Sequence, residues 1–261
     1  MISSSYRAVA KVNIFLKITG MRDDYHEILS RFMRVESLYD TLYFQEKNSN
    51  EPFEIQGEFT CKLEQNTIFK AYVALQEICN SKKLEEFFLK HTVVVEKHIP
   101  AFAGLGGGSS DAATFLLMCN EILNLNLSNK QLTDVGLKVG ADLPFFISGY
   151  SSANVSGVGE IVEEFKEEPL KLTIFTPSIE ISTPTVYKSY RKKFFDPITQ
   201  NEAKKFSIMS SKEILNNLST DEANDLYKPA LKEYPELNLH VKEGYFFSGS
   251  GSSFFKEIAH G

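Results

Sequence analysis

Hydrophobic and polar positions alternate from residue 6 to residue 18. Val12, Ile14, Leu16 and Ile18 share one parity; Lys11, Asn13, Phe15 and Lys17 share the other. A period of two predicts a strand, because successive strand side chains point to opposite faces. On that strand Lys11 and Asn13 project from one face, two residues apart. Residues 41–46 suit a second strand, and the β-branched run 92–99 a third, ended by Pro100. Between them the period lengthens to that of a helix. Asn66 can cap it, and Ile68, Tyr72, Leu75 and Ile78 or Cys79 form its apolar stripe. A further helix is expected from about Ser110 to Leu123. Ser128 with Gln131 makes a capping box for the next, which ends near Gly140, just before Asp142 and Pro144.

From about residue 151 the pattern changes. SSANVSGVGE is rich in serine and glycine and reads as a turn between domains, followed by a strand in LKLTIFTP. Thr183 followed by Pro184 is a good helix start. Helical patterns follow at about 199–206, 211–218 and 221–233, and YFFSGSGSSFFKEI reads as strand, glycine turn, strand. Strands and helices mix without regular βαβ alternation, so the expected class is α+β with two closely packed halves.

Composition narrows the function. A chain of 261 residues, 43% hydrophobic and 24% charged, can bury a real core in one large or two modest domains. A net charge of −6 argues against a broad nucleic-acid surface, though not against a small basic pocket. No apolar run reaches the roughly 18 residues of a membrane span. Lys11, Asn13 and Lys17 interrupt the apolar residues at the N-terminus, so no signal peptide is expected and the mature chain is read as starting near Met1. Cys61, Cys79 and Cys119 form no CxxC pair, which fits a reducing cytoplasm; Cys79 and Cys119 are expected as core thiols. The five histidines do not cluster at metal-ligand spacings, so a protein-caged transition metal is not expected.

The chemistry concentrates in GLGGGSSDAA, residues 104–113. A β-branched strand before it and an apolar helix after it do not suit a flexible linker. Four glycines exceed what a tight turn needs and point to a backbone that approaches something large. A glycine-rich turn opening a helix presents unpaired N–H groups and the positive end of the helix dipole, which together cradle phosphate. The Walker pattern fails because no lysine follows the glycines. The dinucleotide pattern fails because the sixth position from Gly104 is Ser109. The protein-kinase HRD and DFG signatures are also absent.

PAFAGLGGGSSDAA, residues 100–113, resembles the phosphate loop of the GHMP kinases, the superfamily of galactokinase, homoserine kinase and mevalonate kinase. AKVNIFLKITGMRDDYHEI (10–28), VGADLPFFISG (139–149), ISTPTVYKSY, ANDL and SGSGSSFF (248–255) resemble, in the same order, one branch of it, whose acceptor is 4-diphosphocytidyl-2-C-methyl-D-erythritol. The likeness spans about residues 8–255. There are two departures: Asp24 stands directly before Tyr25 where that branch usually has glycine, and many relatives continue beyond the last glycine motif.

The resemblance implies a two-domain GHMP kinase fold. An N-terminal domain (1–153) like domain 2 of ribosomal protein S5 carries the phosphate loop and catalytic residues; a ferredoxin-like α/β domain (154–261) follows. It implies that Pro100, Ala101, Phe102, Ala103, Gly104, Leu105, Gly106, Gly107, Gly108, Ser109 and Ser110 cradle ATP, with Mg²⁺ partly held by Ser110. Asp142 becomes the candidate base, and Lys11 the cation that keeps Asp142 ionised and stabilises the transferring phosphoryl group. Asn13, Tyr25 and His26 are expected to bind substrate, the aromatic ring stacking on a pyrimidine and the imidazole bonding its edge. Asp111 is either a first-turn helix acid or a metal group. Gly249, Ser250 and Gly251 either close the site or form a plain hairpin turn. The implied partner is a small molecule with a cytidine diphosphate group; neither nucleic acid nor membrane is expected, and the chain is expected as a monomer or weak homodimer in the cytoplasm. The alternatives are a GHMP kinase for another acceptor, such as mevalonate or homoserine, or a non-catalytic regulator, which would have lost the lysine or the aspartate.

Overall fold

The structure, a computed structural model, describes residues 4–79 and 82–258. Its described residues fall into two compact units that interleave in sequence. One takes Met1–Ala10, Glu36–Ile99 and Gly107–Gly149; the other takes Lys11–Val35, Pro100–Gly106 and Tyr150–Gly261. Two long paired strands, β1 (Tyr6–Arg22) and β2 (Tyr25–Glu46), supply residues to each. Residues of both parities are buried along the middle of β1, so Lys11, Asn13 and Lys17 lie inside together with the apolar set rather than on a wet face. The strand expected at 41–46 is only the end of β2.

In the first unit the C-terminal part of β2 pairs antiparallel with β4 (His91–Glu96), from Thr41↔Glu96 to Glu46↔His91. The two-residue β3 (Ile55–Gln56) pairs parallel to β4. The helices are α1 (Thr67–Cys79), α2 (Lys82–Phe88), α3 (Gly107–Ile122), α4 (Asn129–Leu137) and α5 (Leu143–Ser148). Rings of Phe44, Phe53, Tyr72, Phe88 and Phe115 interlock in the core. As expected, Asn66 Oδ1 accepts the Ile68 N–H at 2.9 Å, and Ser128 and Gln131 form a capping box. The stripe of α1 ends at Leu75: Ile78 is exposed, Cys79 is half-buried, and only Cys119 of the two expected core thiols is fully inside. Helix α3 begins at Gly107, three residues before the expected start, so the glycines themselves form its first turn.

In the second unit the first part of β2 pairs antiparallel with β5 (Ser152–Gly157), from Ile28↔Gly157 to Met33↔Ser152, and β5 pairs with β6 (Ile161–Glu164). SSANVSGVGE is therefore a strand, not a turn between domains. Ala153 and Val155 are buried, and the polar residues that alternate with them find partners: Ser152 Oγ donates to Glu167 and Asn154 Nδ2 to the Ser207 carbonyl. Beyond lie β7 (Leu172–Phe175), α6 (Thr183–Lys193), α7 (Gln200–Ile208), α8 (Ser211–Asn217), α9 (Thr220–Ala223), α10 (Tyr227–Glu233), β8 (Phe246–Phe247) and β9 (Phe254–Glu257). Strand β9 lies between β7 and β8, antiparallel to both. Leu16, Ile28, Val186, Tyr190, Leu226 and Phe247 belong to one apolar core. The helix expected over 221–233 is two helices, interrupted at Asn224–Leu226. There the Asn224 side chain bonds other backbone groups instead of facing solvent. The mixture of helices and antiparallel strands agrees with the expected α+β class.

Candidate active site

Within the second unit Lys11 is 4% exposed, and its ammonium donates to Asn13 Oδ1 at 2.7 Å and to the Gly104 carbonyl at 3.2 Å. The Phe32 ring lies 4.6 Å from it, a cation–π distance. Asn13 is fixed at both ends: Nδ2 donates to Ser30 Oγ at 2.9 Å, and its backbone N–H to Ser248 Oγ at 3.3 Å. Ser248 Oγ in turn donates to the Gly104 carbonyl at 3.0 Å. The strand lysine, the first part of the glycine loop and the C-terminal glycine turn thus meet, although 93 residues separate Lys11 from Gly104 and 144 separate Gly104 from Ser248. Gly104 has φ +72, and a Cβ there would lie 2.2 Å from the Ser248 carbonyl oxygen, so only glycine fits. Gly249 has φ +59, and a Cβ would stand 3.1 Å from Asn13 Oδ1 and 3.7 Å from Lys11 Nζ. This turn is packed against the lysine, which goes beyond a plain hairpin. Beside it a pocket of 360 Å³ is lined by Phe102, Gly104, Glu180, Ser182, Thr183 and Tyr234, among others. Pro100, Ala101 and Phe102 are exposed; Ala103 and Leu105 are buried, and the Ala103 and Leu105 carbonyls accept the Ser253 and Lys11 N–H groups.

Within the first unit Gly107, Gly108, Ser109 and Ser110 form the opening turn of α3, whose N–H groups lack helical acceptors. Ser110 is 1% exposed and donates its hydroxyl hydrogen to the Val9 carbonyl at 2.7 Å, while Thr67 Oγ1 donates to the Gly108 carbonyl at 2.7 Å. A Cβ added at Gly140 would lie 3.9 Å from Ser109 Oγ, so the turn that leads to Asp142 runs beside Ser109. Asp142 directly precedes α5, yet its carboxylate does not cap that helix. The buried side chains of Leu143, Pro144, Phe145 and Phe146 anchor the turn.

Asp111 is not a first-turn acid. It is 2% exposed and meets Lys97 Nζ at 2.6 Å, and Lys97 also pairs with Asp40. Asp40 Oδ1 accepts the N–H groups of His98 and Ile99 as well. Burial pushes the Asp111 carboxyl up to about 7, against the attraction of Lys97. Lys97 and Asp40 carried no local signal: 57 residues separate them, and neither sits in a recognisable motif.

Tyr25 opens β2 and is 70% exposed. His26 lies 5.0 Å from the Tyr187 ring and 5.8 Å from Tyr190, and its Nε2 is buried with no hydrogen-bond partner among the described residues. Burial, and then the nearby Arg191 charge, lower the His26 pKa from its ordinary value and favour the neutral ring. Tyr187, from the segment ISTPTVYKSY, joins this group; its place on α6, 161 residues after His26, gave no spacing from which to find it.

Residues 66–150 match the family model for the GHMP kinases N terminal domain. Over 254 residues the chain is 60% identical to the 4-diphosphocytidyl-2-C-methyl-D-erythritol kinase of Sulfurimonas denitrificans, with 96% of each chain covered. The chain belongs to the 4-diphosphocytidyl-2-C-methyl-D-erythritol kinase family. The enzyme of that name from Sulfurovum sp. is 48% identical over 253 residues, covering 97% of this chain and 98% of the relative. A crystal structure of 4-(cytidine 5'-diphospho)-2C-methyl-D-erythritol kinase superposes with a TM-score of 0.73 at 29% identity, over 98% of this chain and 90% of that one. The Methanococcus jannaschii mevalonate kinase shares the fold at 14% identity, with a TM-score of 0.60 over 98% of this chain and 90% of that one. The chain is thus a kinase with the GHMP fold, and that family implies ATP as its phosphate donor. Among the described residues no helix is long and apolar enough to cross a membrane, and no group of three or more His, Cys, Asp or Glu side chains could hold a metal ion.

Proposed function

We propose that the chain transfers the γ-phosphoryl group of ATP to the 2-hydroxyl of 4-diphosphocytidyl-2-C-methyl-D-erythritol, giving the 2-phosphate and ADP. The observation that carries this reading is the 60% identity, over nearly the full length, to a kinase named for that acceptor. Asp142 accepts the hydroxyl proton as the oxygen attacks the γ-phosphorus; the bond between that phosphorus and the bridging oxygen breaks, and its electron pair leaves with ADP. Lys11, oriented by Asn13, offsets negative charge on the transferring group. The opening turn of α3 and Ser109 take phosphate oxygens. Mg²⁺ bound with ATP would neutralise phosphate charge, and Ser110 would help hold it through its oxygen lone pairs, since its hydrogen is committed to the Val9 carbonyl. Tyr25, His26 and Tyr187 recognise the cytidine end, where the unpartnered Nε2 supports a ligand hydrogen bond. We place the reaction in the cytoplasm, in keeping with three free cysteines.

An ADP-release assay with 4-diphosphocytidyl-2-C-methyl-D-erythritol, mevalonate and homoserine tests the acceptor. Turnover is expected with the first alone. Turnover with another acceptor instead overturns the substrate assignment, and ATP binding with no turnover on any of them overturns the catalytic one.

The lowered pKa of His26 sets a pH dependence. Its ring protonates at a lower pH than an ordinary histidine, so the acid rise in KM for the cytidine substrate is displaced to lower pH. His26→Gln should raise KM about tenfold or more, the cost of about one lost hydrogen bond to a base edge, and remove that acid rise. Steady-state kinetics from pH 5.5 to 8 check both; an acid rise unchanged in the variant assigns it to another group.

A further inference from the structure

The segment ANDL, residues 223–226, falls where α9 and α10 are broken apart, and its two polar side chains are both turned inward. Asn224 is 2% exposed. Its Nδ2 donates to two carbonyls of the glycine turn, Phe247 and Gly249, each at 2.9 Å, and its Oδ1 accepts the Leu226 N–H at 2.9 Å. Both amide hydrogens and the amide oxygen are therefore used. Asp225 fastens the same break to β1: its N–H donates to the Leu16 carbonyl at 2.9 Å, its Oδ2 accepts the Ile18 N–H at 2.7 Å, and its Oδ1 pairs with Lys17. Two adjacent residues of this break thus hold the strand that carries Lys11 and Asn13 and, separately, the turn that packs against them.

We propose that Asn224 is a positioning residue for phosphoryl transfer, holding the Phe247–Gly249 turn in register against Lys11 and Asn13. The inference rests on the catalytic role proposed for Lys11. A donor is needed at this place because two backbone carbonyls point to one spot, and a primary amide supplies two hydrogens from a single atom. The turn has little freedom to absorb an error: a Cβ at Gly249 would already lie 3.1 Å from Asn13 Oδ1 and 3.7 Å from Lys11 Nζ, and Ser248 Oγ ties Asn13 to the Gly104 carbonyl. A shift of the turn is therefore passed directly to the lysine and to the glycine loop. Asn224→Asp keeps the shape but sets a carboxylate oxygen against two carbonyl oxygens, which repel it.

The test is a double-mutant cycle on purified enzyme, with kcat and both KM values measured by ADP release and folding followed by thermal unfolding. Asn224→Asp is expected to lower kcat about ten- to a hundredfold, the scale of misplacing a reacting group by about 1 Å, with little change in either KM. In a Lys11→Met background the same substitution should lower kcat less than threefold or so, because the group it positions is already gone. An equal fall in both backgrounds, or a drop in unfolding temperature with kcat intact, would make Asn224 structural only and overturn the proposal. Asn224→Ser, which donates to one carbonyl instead of two, gives the same comparison with a smaller fall if the aspartate variant does not fold. Near-normal kcat in Lys11→Met alone would instead overturn the role of Lys11, a result distinct from failure of the cycle.

Discussion

Asp142→Asn is expected to lower kcat by at least about a hundredfold while leaving KM for ATP and the cytidine substrate nearly unchanged, since loss of a general base costs about two to four orders of magnitude. The amide keeps the size of the carboxylate and can still accept a hydrogen bond from the acceptor hydroxyl, so binding survives. It cannot take the proton. The buried Leu143, Pro144, Phe145 and Phe146 anchor the turn on the other side of position 142, so the fold is expected to survive the substitution. The position of Asp142 suits the task, because Gly140 brings this turn beside Ser109 in the opening turn of α3, the proposed phosphate site. Kinetics on the purified variant, with circular dichroism to confirm folding, check the expectation. A fall of only a few-fold would mean that Asp142 orients the hydroxyl rather than deprotonating it.

The parts of the site legible in the sequence are those whose chemistry is local. A turn able to take phosphate needs consecutive small residues opening a helix, so residues 104–110 stand out as its candidate; the structure differs in that Gly107 and Gly108 lie inside α3. The alternation that put Lys11 and Asn13 on one face was equally local, and they do bond each other. What alternation could not show is that both faces of β1 are covered, which turns two polar residues into buried ones.

The rest was hidden by polar residues whose partners lie far away. Most of β2 escaped notice because Arg31 interrupts its apolar pattern, yet Arg31 is wholly buried. Burial lowers its pKa to about 10, which still leaves it charged, and it is paid for by Asn154 Oδ1 at 2.7 Å, the Ser207 and Met209 carbonyls and Glu167 at 3.6 Å. None of those partners can be read from the residues around position 31. The same holds for Ser152 and Asn154 in β5 and for Asn224 at the helix break: each looks like a turn former and is in fact an interior group with distant acceptors. Turn propensity reports how such a residue behaves in water, and tertiary bonds override it.

Lys11→Met is expected to lower kcat by at least about a hundredfold, the typical loss on removing a group that stabilises transition-state charge, with the folded state retained. The two consequences separate because of where Lys11 sits. At 4% exposure its ammonium is held among the Asn13 amide oxygen, the Gly104 carbonyl and the Phe32 ring, a place where a cation is costly for the fold and useful for a phosphoryl group. Methionine matches the length of the stem and packs on Phe32 without that cost. The Gly104 carbonyl keeps the Ser248 hydroxyl as a donor, while Asn13 Oδ1 loses the Lys11 donor, a loss of about 1–3 kcal/mol if it stays buried and unsatisfied. The retained packing on Phe32 limits this penalty, so the unfolding temperature is expected to move less than kcat does. Lys11→Arg should not restore turnover, because its planar fork cannot replace a compact ammonium between oxygens 2.7 and 3.2 Å away. Thermal unfolding and ADP-release kinetics on both variants decide the matter: near-normal turnover in a folded Lys11→Met enzyme removes the lysine from catalysis, whereas lost turnover with an unshifted transition assigns its charge to the reaction rather than to the fold.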